Sequence, residues 1–356
     1  MRILWFGHRD IRHPLAGGAE RTTFEVGRRL ARMGHEVTLA TVNPGSLEGS
    51  EVVDGVRVIR VRGNVRAHLM APLVLRRVRP DVVVDDLAHV VPWFSPYFTD
   101  APVVAFFRHL HARSLRGQVN ALEAEVLRLV ERQYPRVYRS SVFVTETESG
   151  ARDLASLGVR EDRIVRIPPG VDHGRWRPAE KAGRPTLVYF GGMKGYKRPW
   201  LALELLRRLR DVRLVVVGSG PSQGKVVRLC NALGLCDRVT FTGRVDDEAL
   251  PRIVGSAWVN LHFSQVEGFG LTILEAAACG TPTVALEAPG VSDVVEGYGL
   301  GLTARDLDDM VYKVEEILGN HSSWSSRVHE NSQGFSWDAT AERWNELIGS
   351  LVDASR

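Results

Sequence analysis

Apolar residues recur along the first 170 positions in two rhythms. Short runs at residues 2–6, 36–42, 56–61, 81–84, 103–107 and 141–145 read as strands. Between the first two runs, Ala19, Thr23, Val26, Leu30 and Met33 fall at helical spacing, and Gly34 ends that helix. A longer helix is predicted near 119–132. Residues 164–172 close this half, and 174–185, rich in Pro, Gly and charge, read as a linker. The rhythm then restarts, with strands predicted at 186–190, 213–217, 239–242, 259–262 and 283–286. Helices are predicted at 200–210, 226–233 and 248–256, and residues 336–348 read as a capped amphipathic helix. Strands alternating with helices predict an α/β fold with parallel, doubly wound sheets. Two such halves predict domains at 1–170 and 171–335, followed by a terminal helix at 336–356.

A chain of 356 residues is too long for one ordinary core, which agrees with two domains. No apolar run approaches the ~18 residues that cross a bilayer. Residues 1–6 run straight into a strand pattern with no leader signature, so the expected location is the cytoplasm. Cys230, Cys236 and Cys279 lack metal-ligand spacing and read as reduced thiols. Charge is uneven. Residues 1–170 carry 25 arginines, no lysine and 19 acidic residues, a net +6. The remainder has 21 basic and 23 acidic residues, a net −2. The arginines are dispersed and not interleaved with stacking aromatics, so no nucleic-acid partner is expected.

The most informative chemistry lies in Val266-Glu267-Gly268-Phe269-Gly270-Leu271-Thr272-Ile273-Leu274-Glu275, where two carboxylates stand eight residues apart. A Gly-Phe-Gly turn opens an apolar helix, whose free N–H groups attract an anion such as a diphosphate. Carboxylates beside them accept hydrogen bonds from sugar or ribose hydroxyls. Phosphate donors next to hydroxyl acceptors describe a nucleotide-sugar site. Two rival phosphate motifs fail. Gly218-Ser-Gly220-Pro-Ser-Gln-Gly224 places its third glycine one position late for a dinucleotide fingerprint. Gly224-Lys225 has Ser219 and Val226 where a Walker loop needs glycine and a hydroxyl.

With Gly280-Thr281-Pro282, this segment resembles the Glu-x7-Glu signature of retaining glycosyltransferases of family 4, and the likeness extends over nearly the whole chain. The resemblance implies the GT-B fold: two Rossmann-like doubly wound domains facing across a cleft, with a last helix crossing back to the N-terminal domain. It implies transfer of a hexose from a UDP- or GDP-sugar to an acceptor hydroxyl, with retention and with neither metal nor cofactor. Glu275 would hold the ribose. Glu267, Gly268, Phe269, Gly270, Leu271 and Thr272 would hold the sugar and its phosphate. Gly17 and Gly18, before the first long helix, are similar to the family's loop over the donor diphosphate. Lys197 matches the family's phosphate lysine. Gly192 stands where the family has an arginine, and Lys194 or Arg198 would supply that charge. Arg244 and Val245 resemble the loop that meets the base. The family often has a histidine at the strand end where this chain has Arg108, so His109 and His111 become the candidates beside the reacting carbon, with His8 and His89 behind them. Asp85-Asp86 would bind acceptor hydroxyls, cap a helix or pair with arginines.

The acceptor implied is a glycan or a lipid-linked sugar. Arg62, Arg66, Arg76, Arg77 and Arg79 flank the apolar run 69–75, and Arg113, Arg116, Arg128, Arg132, Arg136 and Arg139 surround the helix near 119–132. Arginines around apolar residues suit peripheral contact with the inner face of a membrane. Two other readings share this fold: a subunit that binds nucleotide-sugar without transferring it, and a nucleotide-sugar epimerase.

Overall fold

The computed structural model describes residues 1–114 and 120–355. The chain divides into two compact units, Met1–Gly170 joined by Trp337–Arg356, and Val171–Ser336.

The first unit is built on an eight-stranded sheet. Its strands are β1 (Arg2–Phe6), β2 (Glu36–Asn43), β3 (Ser50–Val53), β4 (Val56–Arg62), β5 (Val82–Asp86), β6 (Val103–Phe106), β7 (Val142–Thr145) and β8 (Ile164–Arg166). Their order is β3-β4-β2-β1-β5-β6-β7-β8, and all neighbours are parallel except the β3–β4 pair. Helices cover both faces, so central strands are apolar on both sides. The period of two divides β1 between two cores. Leu4 and Phe6 join Ala40, Val83, Ala105 and Tyr138 on one face. Ile3 and Trp5 join Val26, Leu30, Val84 and Phe106 on the other. The last helix, Trp337–Ala354, completes that second core. Its Trp344 ring lies 4.9 Å from Trp5 and 5.0 Å from Phe106.

Several segments differ from the sequence expectation. Residues 64–78 form a full helix despite Pro72, with Ala67, Ala71, Val74 and Leu75 buried. Glu148–Ser156, Leu307–Gly319 and His321–Ser332 are further helices outside the predicted set. The stretch 174–185 is part of the second unit and not a linker. Trp176 is buried in that unit's core. The Lys181 ammonium donates to the carbonyls of Ala257 and Gly280 and to Thr281. β5 runs on through Asp85 and Asp86 because both carboxylates find internal partners. Ser95 and Tyr138 hydroxyls donate to Asp85 at 2.6 and 2.8 Å, and Arg108 pairs with Asp86 at 2.7 Å. Neither is open to an acceptor hydroxyl in this arrangement.

The second unit carries six parallel strands: β9 (Thr186–Phe190), β10 (Arg213–Val217), β11 (Val239–Gly243), β12 (Val259–His262), β13 (Thr283–Leu286) and β14 (Gly301–Ala304). Their order is β11-β10-β9-β12-β13-β14. The chain winds outward from β9 in one direction and from β12 in the other. Ligands of such sheets bind at this reversal, beyond the carboxyl ends of the strands.

Burial pushes the Asp85 carboxyl up to about 6, against the lowering effect of its hydrogen bonds from Ser95 and Tyr138. The folded state therefore holds this proton more tightly than the unfolded chain does. The stabilisation it brings is complete below about pH 4 and is lost as pH rises through about 6. Urea unfolding across this range is expected to show wild-type stability falling relative to Asp85→Asn. A pH-independent difference between the two proteins would contradict the assignment.

Candidate functional site

At the reversal in the second unit, the loops leaving β9 and β12 meet. Lys197 from the first and Glu267 from the second form an ion pair, Nζ to Oε1 2.9 Å. Ser264 Oγ donates to the same oxygen at 2.7 Å, and His262 Nε2 lies 3.6 Å from it. Burial opposes charge on both partners. Even so, Glu267 is held well below the usual carboxylate range by Lys197 and His262. Lys197 is held above its ordinary value by Glu267 and by the Tyr196 and Tyr189 hydroxyls. The pair is therefore ionised at neutral pH.

Glycines allow these loops to pack closely. A Cβ added at Gly218 would lie 2.1 Å from the Gly191 carbonyl oxygen, and one at Gly220 would lie 2.8 Å from that of Met193. The loop after β10 thus presses its backbone onto the loop after β9, where Met193 N–H donates to Ser219 O at 3.0 Å. Arg244 Nε donates to Ser219 Oγ at 3.0 Å, which places it on the same loop cluster. Val245 packs, partly buried, against the core.

The cations around Gly192 differ in their surroundings. A Cβ at Gly192 would meet Lys194 Cε at 3.9 Å and Cγ at 4.0 Å, so the lysine side chain lies over the bare residue. Arg198 is half-buried, and its Nε donates to Phe263 O at 2.7 Å. It ties the β9 loop to the end of β12.

Gly268, Phe269 and Gly270 carry the chain into the helix Leu271–Ala278. Phe269 is a core residue, its ring stacked 6.1 Å from Tyr298. Gly270 enters the helix at φ +87°, a left-handed value that favours glycine. No side chain caps this helix and no acidic residue lies in its first turn. The N–H groups of Leu271 and Thr272 have no acceptor within the helix. Glu275 is on the second turn, buried.

The sequence reading missed what steadies Glu267 from behind. Its N–H donates to Pro289 O at 3.2 Å. A Cβ at Gly290 would lie 2.0 Å from the Glu267 carbonyl oxygen. The only signal was a Pro-Gly turn after an apolar run. Asp306-Leu307-Asp308 has an Asp-x-Asp spacing, but Asp306 serves as a helix cap, accepting from the N–H groups of Asp308 and Asp309. Among the described residues no cluster of His, Cys, Asp or Glu is arranged to hold a metal ion.

In the first unit, Gly17 and Gly18 open the helix Gly18–Arg32, and Gly17 N–H donates to Glu20 Oε2 at 2.7 Å. Arg108, just past the end of β6, is buried. Its guanidinium bonds Asp86, Glu146 at 2.9 Å, Thr23 at 3.0 Å and Ala19 O at 3.2 Å, and lies 3.6 Å over the Phe106 ring. His111 is also drawn inward. Its Nε2 is 3.1 Å from Ala88 O, and Glu131 accepts from its backbone N–H. His109 is the less enclosed of the two, its ring 5.1 Å from that of His111. His8 and His89 stack 4.4 Å apart at the ends of β1 and β5, where burial, then neighbouring positive groups, lower both to about 4. Arg116 and the Arg113 side chain lie outside the described residues.

Comparison with known proteins gives this arrangement a family. Residues 16–175 match the model described as Glycosyltransferase Family 4, and residues 172–334 match Glycosyl transferases group 1. The chain is 32% identical over 227 residues to the D-inositol 3-phosphate glycosyltransferase of Nocardia farcinica, covering 56% of this chain and half of that protein. It is 28% identical over 377 aligned positions to the GDP-mannose-dependent alpha-(1-6)-phosphatidylinositol monomannoside mannosyltransferase of Mycobacterium tuberculosis, covering 96% and 95% of the two chains. Sucrose-phosphate synthase from Thermosynechococcus elongatus shares the fold, with a TM-score of 0.85 over 99% of both chains at 20% identity. Two doubly wound units of this kind, matched in succession over residues 16–334 by glycosyltransferase models, make the protein a glycosyltransferase of the GT-B fold. Within that class, the chain is family 4-like, its first half carrying the family 4 model.

The Arg108 network yields a stability test. Arg108→Ala leaves two buried carboxylates without their cation, at an expected cost of about 3–5 kcal/mol. Urea denaturation should show it as a lowered midpoint. An unchanged midpoint with activity lost would mean that the guanidinium works on substrate instead.

Proposed function

We propose that the protein moves a hexosyl group from a nucleoside diphosphate sugar to an acceptor hydroxyl, with retention and without a metal ion. The observation that carries this reading is the ionised Lys197–Glu267 pair beside the uncapped start of Leu271–Ala278. The helix start takes phosphate through the N–H groups of Leu271 and Thr272. Glu267 accepts from the sugar, and Glu275 accepts from the ribose. Charge developing on the leaving diphosphate is met by Lys197 and Lys194. Lys194, folded over Gly192, supplies the cation that the family carries one residue pair earlier. Arg198 serves mainly as a tie between loops, and Arg244 meets base or phosphate. In the first unit, His109 is the side chain assigned to the acceptor.

GDP-mannose is the first donor to test, because the relative that spans nearly the whole chain is named for it. GDP and GDP-mannose are expected to raise the melting temperature. UDP and UDP-sugars should do so less. Lys194→Ala should weaken GDP binding about tenfold, in the range of one charge-assisted hydrogen bond, and Gly192→Arg on that background should recover it. Absence of any nucleotide effect on wild-type melting would overturn the donor reading. Failure of the paired exchange would return the phosphate role to Lys197 alone.

The acceptor is proposed to be lipid-linked. Val65, Leu69 and Leu73 form an exposed apolar row along Asn64–Val78, opposite its buried face, with Arg66, Arg76 and Arg77 exposed around it. Leu122, Val126 and Leu129 make a second exposed row on Ala121–Glu131. No described helix is long and apolar enough to cross a membrane, so contact would be superficial. Apolar rows among arginines fit an anionic lipid surface, each arginine adding about 1 kcal/mol. Flotation with phosphatidylglycerol vesicles should carry the protein upward at low salt and release it at high salt. Absence of salt-sensitive flotation would favour a soluble acceptor.

A further inference from the structure

The three groups around Glu267 do not share its carboxylate evenly. Lys197 Nζ at 2.9 Å, Ser264 Oγ at 2.7 Å and His262 Nε2 at 3.6 Å all lie against Oε1. Among the described residues none is recorded against Oε2. A carboxylate oxygen has two lone-pair sites, and Lys197 and Ser264 use both on Oε1. The backbone is fixed as well. Glu267 N–H is bound to Pro289 O, and its carbonyl lies so close to Gly290 that a Cβ there would come within 2.0 Å. Gly290 stands at φ +78°. The carboxylate is thus held from one side, with its second oxygen left to accept from outside.

We propose that Ser264, through its hydrogen bond to Oε1 of Glu267, and His262, whose ring backs that oxygen at 3.6 Å without bonding it, are positioning residues that hold the carboxylate so that Oε2 becomes the acceptor for one hydroxyl of the donor sugar. This rests on the nucleotide-sugar reading of the same site. Ser264 is buried, and so is His262. Neither is assigned to touch the ligand, so their effect passes through Glu267. A site built around one hydrogen-bonded hydroxyl rejects a ligand that lacks it, because the buried acceptor is then left unpaired. The device therefore acts on the sugar and is silent toward the nucleotide.

Calorimetry with GDP and GDP-mannose, or with UDP and UDP-glucose if those bind, separates the possibilities. In Ser264→Ala the affinity for the nucleotide alone and the melting temperature should stay as in wild type. The preference for nucleotide-sugar over nucleotide should fall about tenfold. His262→Gln should lower it in the same direction. In a Glu267→Ala background, Ser264→Ala should change nothing further, since its route is gone. An unchanged preference in both single variants would overturn the positioning role, as would an undiminished Ser264 effect without Glu267. If wild type binds no nucleotide at all, the donor reading fails first and the proposal falls with it. A fall in nucleotide affinity equal to that for nucleotide-sugar would reassign Ser264 to general loop structure.

Discussion

A charge removed from water must be met by its opposite, and this constraint shapes the carboxyl edges of both sheets. In the first unit Arg60 reaches Asp10 at 2.7 Å, which anchors the loop after β1 to β4. Arg108 does the same among Asp86, Glu146 and the helix that follows Gly17. In the second unit Lys197 and Glu267 join the loops after β9 and β12. Each group links segments far apart in the chain. Removing one partner would leave the other buried and unpaired, a larger loss than the pair's own net worth. Loops that would otherwise wander are fixed by electrostatic compensation, and the residues proposed to bind the donor lie on those loops.

Glycine supplies the complementary constraint. Where ion pairs draw loops together, bare α-carbons let them touch. Gly218, Gly220 and Gly290 each face a backbone carbonyl at a distance no Cβ tolerates. This explains why Gly218-Ser219-Gly220 resembles a phosphate motif without meeting its spacing. Two of its glycines serve the packing of one loop on another.

Much of the fold was legible in the sequence because strands such as β1, β5, β6 and β9 are buried on both faces and stand out as short apolar runs. The terminal helix was legible through its period, with Trp337, Trp344 and Ile348 on its buried side. Asn64–Val78 was not, since Pro72 interrupts the pattern and its apolar residues divide between core and solvent. Residues 174–185 had the composition of a connector, yet Trp176 and Lys181 secure them to the second core. The Glu267–Glu275 segment could be read locally, because its turn, helix and carboxylates are contiguous. Arg108 could not. Its partners Asp86, Glu146 and Thr23 lie 22, 38 and 85 residues away, and nothing near it in sequence marks a buried guanidinium. Ser264, three residues from Glu267, was within reach of a local reading; its role emerges only from which carboxylate oxygen it meets.

The Trp5–Trp344–Phe106 contact has a consequence for how the chain comes into being. Trp344 belongs to a segment made after the whole second unit, yet it fills the core of the unit begun first. The second unit is in effect an insertion. Val171 and Ser336, its two ends, are bridged side by side, so it departs and returns through one narrow doorway. On the ribosome the inserted unit has all its strands before the first unit receives its closing helix. The first half of the chain must wait, with one face of its sheet only partly covered, until the whole inserted unit has been made.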